Sequence, residues 1–373
     1  MSAVALAALA LVLYTYAGYP IAVAVWARIA PRKRLPESGT YEPSVSVCIS
    51  VYNGAAFVGP KLESLQALDY PRDKLEIIVF SDGSNDSTEA LVRDYAKADP
   101  RISLLSSQER KGKPAAVNRL REAATGEVLV MTDIRQPLSA DSVRELVRPL
   151  QDPTIGCVSG LLVLAGNTGA GAYWRYEKAI RGSESRLGWM VGVSGSLYAV
   201  RKADLAELPD DVLLDDMFVP LSVAGRSRKS IVLSPRAEAY DDACDDDREF
   251  SRKVRTLAGN YQLVAKLPWL LLPGKNPVWF AIVSHKLLRL VCPWALVALF
   301  LASAPLAFDT NLPPAWLTFF RALFLGQLAF YALAALGPFA GKLGSLARTF
   351  VVLNVAALVG LWRFMRGTQA VTW

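Results

Sequence analysis

One histidine, His285, is all that the 373 residues contain, and it falls late in the chain. Imidazole is the commonest acid–base group near neutral pH, so its scarcity leaves such work in the main polar region to carboxylates. The four cysteines, Cys48, Cys157, Cys244 and Cys292, have no paired spacing. They suggest neither a disulfide framework nor a zinc site. Internal repeats and low-complexity linkers are missing as well. Charge is missing in patches: residues 1–26, 290–308 and 322–341 carry no acidic or basic side chain.

The rest of the chain is not like those patches. Overall, 52% of residues are hydrophobic and the formal charge is +7. That is too apolar for an ordinary soluble enzyme and too charged for a protein that is all membrane. Residues 1–28 read as an N-terminal transmembrane helix, with Arg28, Arg32, Lys33 and Arg34 as its cytoplasmic flank. Residues 44–258 read as a soluble domain. Residues 259–286, containing "LPWLLLPGKNPVWFAIVSHK", mix Trp, Pro, Lys and Leu in short runs and read as interfacial amphipathic helices. A pair of surface helices is the plainer alternative.

Residues 287–366 read as a C-terminal transmembrane region of two or three helices. The loop "DTNLPPAW" has no basic residue and is expected outside; Lys342 and Arg348 mark the next loop as inside. The last apolar run, 349–362, gives only about 21 Å of helix against a core of ~30 Å. A full crossing puts Arg363 and Arg366 outside, against the positive-inside tendency. Either they snorkel and the helix spans, or the segment is re-entrant.

In the soluble part, "SVSVCISVYN", "KLEIIVFSDGSND", "RISLLSS" and "GEVLVMTD" are apolar strand-like runs separated by helix-like stretches. This alternation predicts an α/β fold, a doubly wound parallel sheet. Ligands in such sheets bind at the carboxyl ends of strands. Asn53, Asp82 and Asp133 fall at three such ends. One polar residue there is usually a turn former, but three favour a binding site.

The motifs "SVYNGA", "IIVFSDGSNDST", "KGKPAAVNRLREAATGEVLVMTD" and "LLDDMFVPLSVAGRS" resemble those of family 2 glycosyltransferases with a GT-A fold. The flanking apolar helices and "NPVWFAIVSHKLLRL" resemble its membrane-embedded branch, which includes cellulose and hyaluronan synthases. The resemblance implies transfer of a sugar from a nucleotide-sugar, usually UDP-linked, with a bound Mg²⁺ or Mn²⁺. It implies that Asp82 contacts nucleobase or ribose, that Lys113 lies near the diphosphate, and that Asp133 opens a D-x-D motif and holds the metal. It further implies that Asp216 is the general base, with Asp215 beside it, and that Ser194, Gly195 and Ser196 line the acceptor pocket. Arg252 and Arg255 match a Gln/Arg-x-x-Arg-Trp element, with Thr256 where tryptophan is usual, and are expected to bind the nucleotide-sugar by covering its phosphates.

The residue chemistry is compatible with those roles. A leaving diphosphate needs positive charge, and an acceptor hydroxyl needs a carboxylate within reach. Plainer readings stand beside them. Acidic residues favour helix N-termini, which covers Asp215 and Asp216. A core strand with a tight turn covers Ser194 to Ser196. A basic helix face on anionic lipid covers Arg252 and Arg255. The aspartates of "YDDACDDDREF" read as a solvated loop rather than a metal site.

Arg135 stands where the second D-x-D carboxylate belongs, and a guanidinium cannot ligate Mg²⁺. Alternate side chains of an extended segment share a face, so Arg135 is expected beside Asp133. There it can meet the diphosphate, replace part of the metal's charge, or pair with Asp133; the favoured reading keeps the metal, held by Asp133, the diphosphate and another carboxylate or water.

The expected protein is an inverting, membrane-bound transferase of the inner (plasma) membrane, multi-pass, with a cytoplasmic catalytic domain, building a surface glycan. A non-processive enzyme adding one sugar to a lipid-linked acceptor is the alternative, and a non-catalytic nucleotide-binding protein is a third reading. Nucleic acid is not an expected partner. The few apolar segments make a channel within one chain doubtful, so a homo-oligomer or an export partner stays open.

Overall fold

The computed structural model describes the chain except for residues 34, 37–38, 166–169, 243–245 and 371–373, and excludes the side chains at 165–172 and 242–249. Seven strands run in chain order: β1 (Val45–Val51), β2 (Leu75–Asp82), β3 (Ile102–Ser107), β4 (Val128–Asp133), β5 (Ile155–Ala165), β6 (Leu197–Arg201) and β7 (Ser230–Asp242). They form one sheet in the order β3-β2-β1-β4-β6-β5-β7. The pairings are parallel except those of β6, which runs antiparallel to both β4 and β5. The four strands legible in the sequence are the parallel half. The doubly wound parallel sheet is therefore a mixed sheet, because "SLYAVR" enters from the opposite end.

The apolar strands have no polar face because both faces are covered. In β1, Val45, Val47, Ile49 and Val51 pack on one side with Ile77, Val79, Val128 and Val130. Cys48 packs on the other with Ile78, Phe80, Leu129 and Met131. Each such side chain taken out of water contributes about 1.5–3 kcal/mol. In the parallel half, the covering helices are α2 (Ala55–Gln66), α3 (Thr88–Ala98) and α4 (Lys113–Ala123). They are followed in the chain by α5 (Ser142–Val147), α6 (Ala170–Leu187), α7 (Asp215–Ser227) and α8 (Asp246–Lys266).

The division at 258 falls inside α8. Val254, Ala258 and Leu263 are all buried in the core under the sheet, so the helix belongs to the sheet domain to its end. The interfacial pair expected over 259–286 is not formed. Residues Pro268–Leu271 make one 3-10 turn with Leu270 buried. From Trp279 a single helix, α9 (Trp279–Leu306), runs into the apolar run without a break.

Helix α1 (Ser2–Ile29) and α9 are each 28 residues long and apolar enough to cross a membrane. A third continuous stretch, Pro314–Arg366, also qualifies. It comprises α10 (Pro314–Leu336), a 3-10 turn and α11 (Gly341–Arg366). At 26 residues, α11 measures about 39 Å, well beyond the 14-residue apolar run. Its end stands against the sheet domain. A Cβ added to Gly360 would lie 2.9 Å from the backbone nitrogen of Ala258, and Phe364 stacks on Tyr261 at 6.2 Å. Arg363 and Arg366 thus lie close to the sheet domain.

Each of α1 and α9 contains one wide π turn, at Tyr14–Gly18 and Ile282–Leu287. Such turns rotate side chains off the regular helical face and recur at functional sites. Here they face each other, with Tyr14 Oη 2.9 Å from Ser284 Oγ.

Candidate active site

The carboxyl ends of β1, β2 and β4 are level, since Ser50 pairs with Asp133 and Val51 with Ser81. Asn53, Asp82 and Asp133 therefore gather at one edge, as expected. Their side chains do different things there. Asn53 spends its amide on the next loop: Nδ2 donates to Asn85 Oδ1 at 2.8 Å, and Oδ1 accepts from the Asn85 nitrogen at 2.9 Å. Asp82 is 1% exposed. Its carboxylate accepts from the backbone nitrogens of Lys111 (2.8 Å) and Gly112 (2.7 Å). Gly112 has φ 92°, a left-handed conformation that glycine adopts without strain. Asp82 thereby fixes the turn that opens α4 and aims Lys113.

The Lys113 ammonium sits between two carboxylates, donating to Asp133 Oδ1 at 2.9 Å and lying 3.4 Å from Asp215 Oδ2. Burial alone would lower its pKa, but Asp133 and Asp215 hold it above the usual lysine range. Asp215 and Asp216 form the first turn of α7, where the helix dipole favours negative charge. The helix-terminus reading holds here. Burial, then the Asp215 charge, pushes the Asp216 carboxyl up to about 6. A base near that value is ionised at neutral pH yet holds a proton better than a free aspartate.

The loop before α7 is fixed from α8. Gln262 accepts from the Leu213 nitrogen at 2.9 Å and donates to the Asp211 carbonyl at 2.7 Å. Arg255 reaches the Leu213 carbonyl at 3.4 Å, so it supports the turn that leads into Asp215 and Asp216. Arg252 and Thr256 line the cavity beside Asp216. Ser194 and Ser196 bond to each other at 2.7 Å. Gly195 faces the cluster: a Cβ there would lie 3.6 Å from Asp216 Oδ2 and 3.8 Å from Lys113 Nζ.

Arg135 is not where strand alternation put it. The strand ends at Asp133, and Ile134 and Arg135 form a turn. The chain then crosses to β7, where the Tyr240 nitrogen donates to the Pro137 carbonyl at 2.9 Å. Arg135 Nε consequently donates to Asp241 Oδ1 at 2.9 Å, and Asp133 is left to Lys113. Asp241 is correspondingly not part of a solvated loop; its side chain is 9% exposed. Cys244 and Asp242 to Asp247, by side chain, lie outside the described residues.

Among the described residues, no three His, Cys, Asp or Glu side chains gather around a cation. The residues fit a metal that relies on its substrate. Asp133 is half-open to the cleft, at 38% side-chain exposure. Asp215 Oδ2 and Gln136 Oε1 are buried oxygens with no hydrogen-bond partner. Mg²⁺ commonly takes one or two carboxylates and completes its shell with phosphates and water.

Several residues at the site went unread in the sequence. Lys61 is fully buried and donates to Thr132 Oγ1 (2.7 Å) and the Gln136 carbonyl (2.6 Å), pinning the turn after Asp133. Burial pulls its pKa down to about 7. Glu177, Arg181 and Glu184 stripe one face of α6 at near-helical spacing, a pattern that was available. They meet His285 and Arg289 of α9. His285 Nδ1 lies 2.8 Å from Glu184 Oε1, and Nε2 lies 3.1 Å from Glu177 Oε2. Tyr19 of α1 donates to Glu184 at 2.7 Å.

A cavity of about 410 Å³ runs from Asp216 past these groups to Tyr16 of α1 and Leu353 of α11. The cleft at the strand ends thus continues into a cavity that reaches the apolar helices.

Residues 46–203 match the sequence profile of Glycosyl transferase family 2. A solved mannosyltransferase of Pyrobaculum calidifontis, in complex with GDP-Man and Mn²⁺, is 27% identical. The match covers 97% of this chain and 99% of that one, with a TM-score of 0.74. An N-acetylglucosaminyltransferase of Rhizobium sp. (strain N33) is 27% identical over 218 residues, 56% of this chain and 48% of its own. A dolichyl-phosphate beta-glucosyltransferase of Trichomonas vaginalis is 29% identical over 134 residues, 34% of this chain and 40% of its own. The chain spans about half or less of the length of these curated relatives. The fold is that of a GT-A domain with apolar helices attached.

Proposed function

We propose that the protein is a membrane-bound, inverting hexosyl- or N-acetylhexosaminyl-transferase that uses a nucleoside diphosphate-sugar. One observation carries this reading. Lys113 is held between Asp133 and Asp215 at the mouth of the sheet, with Asp216 beside it at a raised pKa. A leaving-group cation and a general base then face one cleft.

In this mechanism the donor diphosphate takes the place of Asp133 or Asp215 as a partner of Lys113. Asp216 accepts the proton of the acceptor hydroxyl, whose oxygen attacks the anomeric carbon opposite the departing diphosphate. A divalent ion held by Asp133 would supply further charge stabilisation when bound. The glycosidic bond forms, the sugar–phosphate bond breaks, and the configuration inverts.

The family resemblance favours UDP, while the relative that matches over its whole length carries GDP-Man. The nucleobase is therefore assigned only as one of these two. The apolar helices and the cavity beneath them favour an acceptor delivered from the bilayer over a soluble one. This supports the membrane-embedded branch and a catalytic domain on the cytoplasmic face of the inner membrane. Transfer should be assayed with a panel of UDP- and GDP-sugars and membrane-extracted acceptors, with mass analysis of the product. Donor binding that needs neither Lys113 nor Asp133 would overturn the reading.

A further inference from the structure

Two half-buried cations line the cavity beside Asp216 with few close partners. Arg181 of α6 makes one hydrogen bond, from Nη2 to Ser159 Oγ at 3.1 Å. Among the described residues no carboxylate lies within ion-pair distance of it, and desolvation pulls its pKa down against the opposing pull of Glu177, Glu184 and Asp216. Among the described residues Lys286 of α9 makes no hydrogen bond and one long ion pair, 3.9 Å to Glu177 Oε2, with its side chain 23% exposed. Glu177 is already bonded by His285 and Arg289, and Glu184 by His285 and Tyr19. Both cations line the cavity that contains Asp216. Their desolvation is costly unless an anion compensates it.

The shape of the cavity says which anion. It begins at Asp216 and ends at Tyr16 and Leu353, side chains of two apolar helices, and its walls are mostly apolar. An occupant must offer a hydroxyl at Asp216, a negative charge at Arg181 and Lys286, and a hydrocarbon chain at the helices. We propose that the acceptor is a lipid-linked sugar joined to its chain through a phosphate, and that Arg181 and Lys286 bind that phosphate. This deepens the transferase reading and rests on Asp216 as the acceptor-side base.

The test uses the full chain in detergent. Two synthetic acceptors share one sugar and one alkyl chain, joined either through a phosphate or directly. Wild type should use the phosphate-linked acceptor about tenfold to a hundredfold better in kcat/KM, the scale of charge-assisted hydrogen bonds. Decyl phosphate should bind by calorimetry, decanol and inorganic phosphate far more weakly. Lys286→Gln and Arg181→Gln should each lose most of the decyl phosphate affinity while still binding nucleotide. Arg181→Lys should keep part of it. Equal use of the two acceptors overturns the inference without any variant. So does decyl phosphate binding no tighter than decanol, or inorganic phosphate binding as tightly as decyl phosphate. Absence of nucleotide-sugar binding in wild type would instead overturn the transferase reading itself.

Discussion

Lys113 at the sheet edge and His285 at the helix junction are built on one plan, a basic group between two carboxylates. Lys113 has Asp133 and Asp215 at 2.9 and 3.4 Å; His285 has Glu184 and Glu177 at 2.8 and 3.1 Å. They differ in access. Asp133 is 38% exposed, whereas the His285 side chain is fully buried. An open cluster can exchange a carboxylate for a phosphate at little cost. The other, whose histidine is sealed from solvent although its carboxylates line the cavity, cannot, because every group removed leaves another uncompensated in a low dielectric. The sealed cluster joins α1, α6 and α9, so its work is to hold the apolar helices on the catalytic domain. Burial of charge alone thus does not mark an active site; burial with one side open does.

The comparison breaks most sharply at the two carboxylates that stand for each cluster. Asp216→Asn should cut transfer by about 10²–10⁴ while nucleotide-sugar binding survives. Retention of most turnover would remove Asp216 from the chemistry. At the sealed cluster, Glu184→Ala should destabilise the protein by about 3–5 kcal/mol, read as a lower unfolding temperature in detergent. Donor affinity in the folded fraction should be unchanged. If Glu184→Ala keeps its thermal stability but abolishes turnover, the sealed cluster is catalytic and the contrast is false.

The next effect separates phosphate from base. Lys113→Ala should weaken GDP or UDP by roughly tenfold to a hundredfold, the worth of a charged hydrogen bond, and leave the nucleoside nearly untouched. Equal losses for both would show that Lys113 does not meet the diphosphate.

A smaller effect appears with pH. Asp216 is pushed up to about 6, against about 3.9 in an unfolded chain. Turnover should therefore fall as pH drops through 6. For stability the sign is opposite. The folded state binds the proton more tightly, so the contribution is present below pH ~4 and lost as pH rises through ~6. Asp216→Asn should melt about 2 °C higher than wild type at pH 7.5, with the difference gone near pH 4. A variant that melts lower at neutral pH would mean that the charged form is stabilised instead.

The parallel half of the sheet was legible because its strands are buried on both faces and read as unbroken apolar runs. Asn53, Asp82 and Asp133 could be placed from the same pattern, since strand ends fix them. Lys113, Asp215 and Asp216 needed the family resemblance, because nothing local says that residues 20 and 82 positions apart share a cleft. Strand β6 was read as a strand but not as antiparallel, since direction is set by long-range pairing. Helix α6 escaped altogether: its Glu177, Arg181 and Glu184 stripe looks like a solvated face until α9 is packed against it. The long α9 and α11 were cut short because charged residues interrupt hydropathy without interrupting the helix. Lys286 and Arg289 lie within one, and Lys342 and Arg348 begin the other.

The smallest effect concerns Arg135, where the pattern was readable and its consequence was not. Alternation presupposes extended backbone, and the turn at Ile134 and Arg135 sends the guanidinium to Asp241 instead. The open cluster is left with one half-exposed carboxylate, Asp133, already shared with Lys113. Metal affinity should then be weak alone and should rise steeply with GDP or UDP, whose phosphates complete the ligand set. Arg135→Asp changes two unit charges near a divalent ion. In water each pair of unit charges at roughly 10 Å is worth about 0.4 kcal/mol. Physiological salt removes more than half of that, which leaves about a threefold tightening. Mn²⁺ titrated into wild type and variant, with and without nucleotide, measures it. Tight binding by wild type without nucleotide would mean that the open cluster is a preformed metal site. In that case Lys113 would have to give up Asp133 before any donor arrives.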